Sequence, residues 1–218
     1  MCDSPSTTRE HAPPQCLFPE SKDLEDGGDL RKNLITVPSC ASHNSRLSKD
    51  DEYFLFIATS NLEGNARQGE QFGTKVIRAL RRNPALLSTA FRAARPATVN
   101  GVPTMSFTVD RPRVERVVEK VARAIHYHHT GGQKLPGHLR VILPMLRYPD
   151  GSVLAGVSAM GELLQKWQAP WIGDNPEIFV YRINIHPTNE GSFLQMSFFQ
   201  GFAALVQWGD PPAAAPAG

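Results

Sequence analysis

The first 51 residues of the chain contain the side chains whose types and spacing could do chemistry. In chain order they are Glu10, His11, Asn33, Cys40, His43 and Asn44. Carboxylate and amide oxygens bind hard divalent ions, imidazole and thiolate bind zinc, and imidazole also transfers protons near neutral pH. The set therefore points to a metal site, to proton transfer, or to both.

Cys40, His43 and Asn44 fall where the sequence predicts the start of a helix. Residues three apart lie on one helix face, so Cys40 and His43 can reach the same ion. Asn44 points about 100° away and can serve a different site. One helix start can therefore hold a structural zinc on one side and help to hold a catalytic metal on the other.

The elements that must position these residues can be predicted only coarsely. Residues 1–18 are expected to be an extended entry, and the charged, glycine-containing segment 19–32 is expected to be a loop. The run 33–37 favours a strand that Pro38 stops, and a helix is expected from a cap within residues 39–44 to about residue 58. An extended entry, a loop, a strand and a helix are therefore expected within the first 58 residues.

The ordered pattern Glu-His-x-Pro, Asn-Leu and Cys-x-x-His-Asn resembles the HNH endonuclease family, which folds as a ββα-metal finger. The resemblance covers residues 2–51 of the 218. It implies that His11 is the general base, and that Asn33 fixes the loop geometry and orients His11. It also implies that Glu10 and Asn44 bind one divalent ion (Mg, Mn or Zn) in the His-Asn-Asn variant of the site.

The resemblance further implies a structural zinc held by Cys2, Cys40 and His43. Cys2 lies nine residues before His11, where the second cysteine of a first pair is expected, and the first cysteine of that pair would fall before Met1. The ligand set is then incomplete, and Cys16 is the obvious substitute. His43 stands where the family usually has a cysteine, which zinc tolerates.

Each of these residues also has a plain structural interpretation. His11 can be a surface histidine, Cys40 a small buried apolar residue, and His43 with Asn44 a helix cap. Each interpretation is the commoner one for a single residue. Their co-occurrence in this order favours the HNH interpretation.

Residues 59–70 are expected to be a connector, and residues 71–209 a second, α+β domain. Helices are predicted at 74–82 and 84–94, and a strand at 104–109. A longer helix begins after Asp110 and ends near 128–132, where glycines supply the stop. Its apolar stripe, at helical spacing, consists of Val114, Val117, Val118, Val121, Ala124 and Ile125.

The last third of the chain is predicted to be rich in strands. Strands at 139–148, 178–185, 193–199 and 202–208 have short connections, which favours antiparallel pairing. A short helix is possible at 161–167, and the tail 210–218 is expected to be disordered. The expected fold class is α+β: an N-terminal ββα-metal finger and a C-terminal α+β domain with an antiparallel sheet.

Positive charge is concentrated in residues 71–109, which contain six Lys or Arg and no Asp or Glu. Such a stretch attracts phosphates, and the candidate DNA contacts are Lys75, Arg78, Arg81 and Arg82. The alternative is a solvated helix face. His126, His128 and His129 cluster at a helix end, where capping competes with a second metal site.

Composition limits the class of protein. The sequence contains no apolar run of about 18 residues, its first residues lack the apolar segment expected of a secretory signal, and three cysteines do not make an even disulfide set. We therefore expect a reducing, cytoplasmic location and no membrane partner; no protein partner can be inferred.

Three functions remain open at this point. The first is a metal-dependent HNH endonuclease that hydrolyses phosphodiester bonds in DNA. The second is a zinc-stabilised nucleic-acid-binding module without catalytic activity. The third makes residues 71–209 the functional unit, with a degenerate finger attached.

Overall fold

The computed structural model describes residues 6–24, 27–82, 85, 88, 91–99, 101–146, 167–187 and 191–209, and for residues 42–46 it describes the backbone only. Within these ranges the protein is mixed α+β, with four α-helices and three antiparallel sheets. The α+β class and the antiparallel pairing expected from the sequence are confirmed.

The N-terminal part is a hairpin followed directly by a long helix. Strand β1 (Thr8–Ala12) pairs antiparallel with β2 (Ile35–Ser39), and helix α1 (Ala41–Thr59) follows. The predicted helix is therefore confirmed, and its N-cap residue, Cys40, lies within the predicted cap range. The predicted stop at Pro38 is wrong, because β2 continues through this exposed proline. An outward-facing position on a two-stranded sheet does not need the N–H that proline lacks.

The next helical run begins earlier than expected. Helix α2 (Ala66–Gln71), a π-helical segment (Phe72–Val76) and α3 (Ile77–Arg82) follow one another without a break. Part of the expected connector is therefore helical. The Asn65 side chain caps α2 by accepting a hydrogen bond from the Gln68 N–H, 3.0 Å away. In the predicted helix 84–94, the described residues Ala85 and Ser88 are helical, but residues 91–93 form a turn, so the predicted end at residue 94 is wrong. Positions 84, 86, 87, 89 and 90 lie outside the described residues.

A second hairpin and a second long helix come next. Strands β3 (Arg95–Val99) and β4 (Val102–Ser106) pair antiparallel, so the predicted strand is present but displaced toward the N-terminus, and β3 was missed. Helix α4 (Arg111–His129) buries the whole predicted apolar stripe. Asp110 precedes it, but the Asp110 side chain makes no capping hydrogen bond.

The largest sheet has five strands in the order β5-β9-β8-β7-β6. Their bounds are Arg140–Ile142, Ile172–Asn175, Phe179–Asn184, Ser192–Phe198 and Phe202–Trp208 for β5 to β9. The four predicted strands are found here, whereas β6 was missed. The predicted helix at 161–167 and the tail 210–218 fall almost entirely outside the described residues.

One hydrophobic cluster joins the N-terminal unit to the large sheet. Its buried members run from Ala12 in β1 to Trp208 in β9. The ring of Phe54 in α1 packs edge-on against Phe198 and Phe202, with centroids 4.9 and 5.6 Å away. The boundaries of the expected domains stay a prediction, but this core fixes the hairpin β1–β2 against the rest of the protein.

Candidate active site

Strand β1 presents Glu10 and His11 on opposite faces. Alternate residues of a strand point to opposite sides, and the burial of β1 follows this rule. Glu10 and Ala12 are buried, whereas His11 is partly exposed. In the register of the hairpin, Glu10 lies opposite Val37 and His11 opposite Thr36. The candidate base is therefore accessible, while the neighbouring carboxylate faces the interior.

The Glu10 carboxylate is part of a buried ionic cluster. Lys120 of α4 donates from Nζ to Glu10 Oε1 at 3.0 Å and to both carboxylate oxygens of Asp51 in α1, at 2.6 and 2.8 Å. The three side chains are only 10% to 13% exposed. One ammonium thus links β1, α1 and α4, and it serves two carboxylates.

The pKa of Asp51 reflects the sharing of one cation between two carboxylates. Burial raises the pKa of Asp51 from its usual 3.8 to about 6, and repulsion from Glu10 and Asp50 adds to the rise. The bonds from Lys120 oppose it. A carboxyl group with such a pKa can exchange a proton near neutral pH.

Asp50, the preceding residue, is in a different environment. Its carboxylate accepts hydrogen bonds from Arg113 at 2.7 Å and from Arg116 at 2.9 Å. Burial acts to raise the pKa of Asp50, but the two arginines outweigh it and the pKa is lowered. Adjacent aspartates of α1 therefore have opposite shifts because one has two guanidinium partners and the other shares one lysine.

Asn33 lies in the turn that leads into β2. It is exposed and has a φ of 59°, in the left-handed region that asparagine tolerates better than most residues. Asn33 also lines a cavity of about 50 Å³ between this turn and the strands β6 and β7. The side chain of Asn175 donates to the carbonyl of Leu30 at 3.1 Å, which ties the turn to β6.

The start of α1 holds the remaining predicted ligands. Cys40 is the N-cap residue of α1 and is buried, with 7% of its surface exposed. His43 and Asn44 lie in the first turns of α1, but their side chains, like the whole of Cys2, are outside the described part of the structure. Positions 44 and 51 are seven residues apart, about two turns, and therefore share a helix face.

Cys16 does not share a zinc ion with Cys40. Its thiol donates to the main-chain carbonyl of Asp51 at 3.5 Å. At about 1.5 Å per residue, α1 advances roughly 16 Å between positions 40 and 51. Two sulfur ligands of one zinc lie less than about 5 Å apart. Burial also raises the pKa of Cys16 to about 12, so the thiol is protonated at neutral pH.

No group of three or more His, Cys, Asp and Glu side chains with the geometry of a metal site occurs among the described residues. The histidines at the end of α4 make local contacts instead. His129 Nε2 lies 2.9 Å from the Tyr181 hydroxyl, and His126 Nδ1 lies 3.3 Å from the Gln133 carbonyl. Burial lowers the pKa of both histidines.

The four predicted DNA contacts divide into two pairs. Lys75 donates to the Cys16 carbonyl at 2.9 Å, and Arg78 forms a bidentate ion pair with Asp23 at 2.8 and 2.7 Å. These two side chains hold α3 and the segment before it against the N-terminal loop. Arg81 and Arg82, at the end of α3, are exposed.

Lys120 and Asp51 are the residues of this site that sequence reasoning missed. A signal for Lys120 was present, since it lies between Val117 and Val121 at the edge of the apolar stripe of α4. A charged residue next to a buried stripe must find a partner. A signal for Asp51 was its position on α1, two turns after Asn44 and on the same helix face.

Comparisons of the chain with protein-family models, with curated proteins and with solved structures gave no match. None of the helices in the described ranges has the length and apolar character that crossing a membrane requires.

Proposed function

We propose that this protein is a metal-dependent endonuclease of the HNH type that hydrolyses phosphodiester bonds in DNA. The supporting observation is the order of elements around the motif residues. Glu10 and His11 lie in β1, Asn33 lies in the turn before β2, and Asn44 lies in α1. This strand-strand-helix order is the one that the resemblance implies.

His11 is the proposed general base. His11 is partly exposed, on the face of β1 opposite the buried Glu10, which would let a phosphate and its attacking water approach it. It would take a proton from that water, a role worth about 10²- to 10⁴-fold in rate. Asn33, in its left-handed turn, would hold the chain beside the end of β1 and so help to orient His11.

Glu10 and Asn44 are the proposed ligands of the divalent ion. Their oxygens suit Mg²⁺ or Mn²⁺, and Lys120 contacts Oε1 of Glu10 only. When bound, the ion would polarise the scissile phosphate and stabilise the leaving 3′ oxygen. Lys120 fixes the Glu10 carboxylate, and Asp51 fixes Lys120.

A structural zinc at the start of α1 belongs to the same proposal. Cys2, Cys40 and His43 would hold it, and Cys16 is excluded as the fourth ligand. Cys40 suits this role because it is the buried N-cap residue beside β2.

The second candidate is a nucleic-acid-binding module without catalysis. The contact between Lys120 and Glu10 favours it, because the ammonium already supplies a positive charge to the proposed metal ligand. It predicts DNA binding that weakens with salt and leaves the substrate intact.

The deciding experiment measures nicking of supercoiled plasmid with Mg²⁺ or Mn²⁺ by the wild type, His11→Ala and the matched control His138→Ala, an exposed histidine outside the motif. The nuclease proposal predicts metal-dependent nicking by the wild type and by the control, and a loss of at least about 100-fold in His11→Ala. Equal nicking by all three would overturn it. Binding without nicking by the wild type would favour the second candidate.

A further inference from the structure

The hairpin β3–β4 has almost no packing against the protein core. Along both strands, only the central residues, Ala97 and Thr104, are partly buried. Three large apolar side chains are about half exposed: Val99 at 44%, Val102 at 55% and Met105 at 48%. A lone two-stranded hairpin is at best marginally stable in water, so this one adds little to the core.

The base of the hairpin, in contrast, is anchored. The ring of Phe56 in α1 contacts the rings of Phe91 and Phe107, with centroids 5.5 and 5.4 Å away. The Thr108 N–H donates to the Arg92 carbonyl at 2.8 Å. The strands therefore leave the core from a fixed base, with both faces exposed.

Exposed arginines lie at the end of α3 and in or beside this hairpin. Arg81 and Arg82 end α3, Arg92 lies at the hairpin base and Arg95 begins β3; all four are exposed. No described carboxylate forms an ion pair with any of them, unlike Arg78, which Asp23 neutralises. Exposed arginines without an ion-pair partner among the described carboxylates, in a stretch with no acidic residue from 71 to 109, suit a polyanion.

The sequence of the hairpin opposes pairing with a second copy of the chain. Pro96 lies in β3 and Pro103 in β4, and each removes a donor from the outer edge of its strand. Strand addition at either edge would lack those hydrogen bonds.

We propose that β3–β4, with Arg92 and Arg95 at its base, is a ribbon that contacts double-stranded DNA. The major groove, about 12 Å wide, admits a two-stranded ribbon. The arginines would meet phosphates, and Val99 and Val102 would contact the groove. The inference rests on the proposed function for the nature of the partner, and it assigns the duplex contact to a surface separate from His11.

The test measures duplex affinity without added Mg²⁺ or Mn²⁺ and without a chelator, so that cleavage does not interfere and a structural zinc is kept. Binding of a short fluorescein-labelled duplex is followed by anisotropy over a range of salt, using the full chain. The variants are Arg92→Gln/Arg95→Gln and Val99→Ser/Val102→Ser. The matched control is Lys49→Gln/Arg140→Gln, which removes the same charge from exposed side chains elsewhere. Circular dichroism melts check that all variants fold.

The expected results differ between the variants. The arginine variant should reduce the slope of log Kobs against log salt by about 2, because each lost phosphate contact removes about 0.9. The valine variant should weaken binding at every salt concentration with its slope unchanged. The control should keep the wild-type slope.

An unchanged slope in the arginine variant, or an equal loss of slope in the control, would overturn the inference. The inference would also be overturned if the wild type bound anionic vesicles through Arg92 and Arg95 but did not bind the duplex. The same holds if the main effect of the variants were a loss of self-association. Failure of the nuclease proposal is seen separately, as an absence of plasmid nicking by a wild type whose duplex binding still depends on Arg92 and Arg95.

Discussion

Two hairpins among the described residues, β1–β2 and β3–β4, are each built from five-residue strands but pack differently against the rest of the protein. In β1–β2, Glu10, Ala12 and Val37 are buried against the helices α1 and α4. In β3–β4, every large apolar side chain is exposed, and only the base contacts the core. The first hairpin fixes the candidate catalytic residues, whereas the second leaves its surface available to a partner.

The largest expected effect comes from breaking the cluster that holds β1–β2. Lys120→Met leaves Glu10 and Asp51 buried without a cation, which typically costs about 3–5 kcal/mol. Urea unfolding at neutral pH measures this cost. The control Lys49→Met, at an exposed position of α1, should change the free energy of unfolding by less than about 0.5 kcal/mol. Equal changes in the free energy of unfolding for the two variants would show that the cluster does not stabilise β1–β2.

The second effect is a pH dependence of the free energy of unfolding that comes from Asp51. Its folded pKa of about 6 lies above the unfolded 3.8, so between these values the folded state binds the proton more tightly than the unfolded state does. The stabilisation from this proton is lost as the pH rises from about 4 to about 6. Relative to Asp51→Asn, the wild type should lose up to about 3 kcal/mol over this range. A wild type that gains stability relative to the variant would contradict the shift.

The third prediction compares one valine from each hairpin. Val37→Ala removes two methyl groups from a buried site in β2 and should cost about 2 kcal/mol. Val102→Ala in β4 should cost less than about 0.5 kcal/mol, because Val102 is half exposed. Chemical unfolding of the two variants side by side provides the measurement. Similar costs would mean that β3–β4 is packed as well as β1–β2.

The smallest effect concerns the contact between α1 and the start of α4. The Asp110 N–H donates to the Tyr53 hydroxyl at 2.8 Å. Tyr53→Phe removes the acceptor and should cost about 1–2 kcal/mol in the free energy of unfolding. Thermal unfolding of Tyr53→Phe checks this, with Tyr127→Phe, a partly buried tyrosine of α4, as the control.

Helix α4 shows what the sequence can predict well. Its apolar residues recur at helical spacing, and all six predicted members of the stripe are buried. The strands β7, β8 and β9 could be predicted equally well, since apolar and polar residues alternate along them and short turns separate them. In both cases the local pattern and the burial in the fold agree.

Helix α2 shows why other elements were missed. Its sequence, Ala-Arg-Gln-Gly-Glu-Gln, has the composition of a loop, yet Gln68 and Gln71 are buried. Their amides donate to the carbonyls of Thr59 and Leu17, at 2.8 and 2.6 Å. Such tertiary hydrogen bonds stabilise a polar helix that no periodicity indicates.

The candidate site likewise contains residues that the sequence predicted and residues that it missed. The order of Glu10, His11, Asn33 and Asn44 predicted a compact unit, and all four fall within β1, β2 and α1 or the turn between the strands. Lys120 is 110 residues away from Glu10 in the chain, and no local spacing relates the two. Long-range ion pairs of this kind are set by the packing of α4 against the hairpin.

The most direct test of the central claim, that one hairpin performs the chemistry and the other binds DNA, is plasmid cleavage under single-turnover conditions as a function of protein concentration. We predict that His11→Ala lowers the maximal rate at least about 100-fold and leaves the half-saturating concentration unchanged. Arg92→Gln/Arg95→Gln should raise the half-saturating concentration and keep the maximal rate. If both variants changed the same parameter, or neither changed any, the assignment of separate roles to the two hairpins would be contradicted.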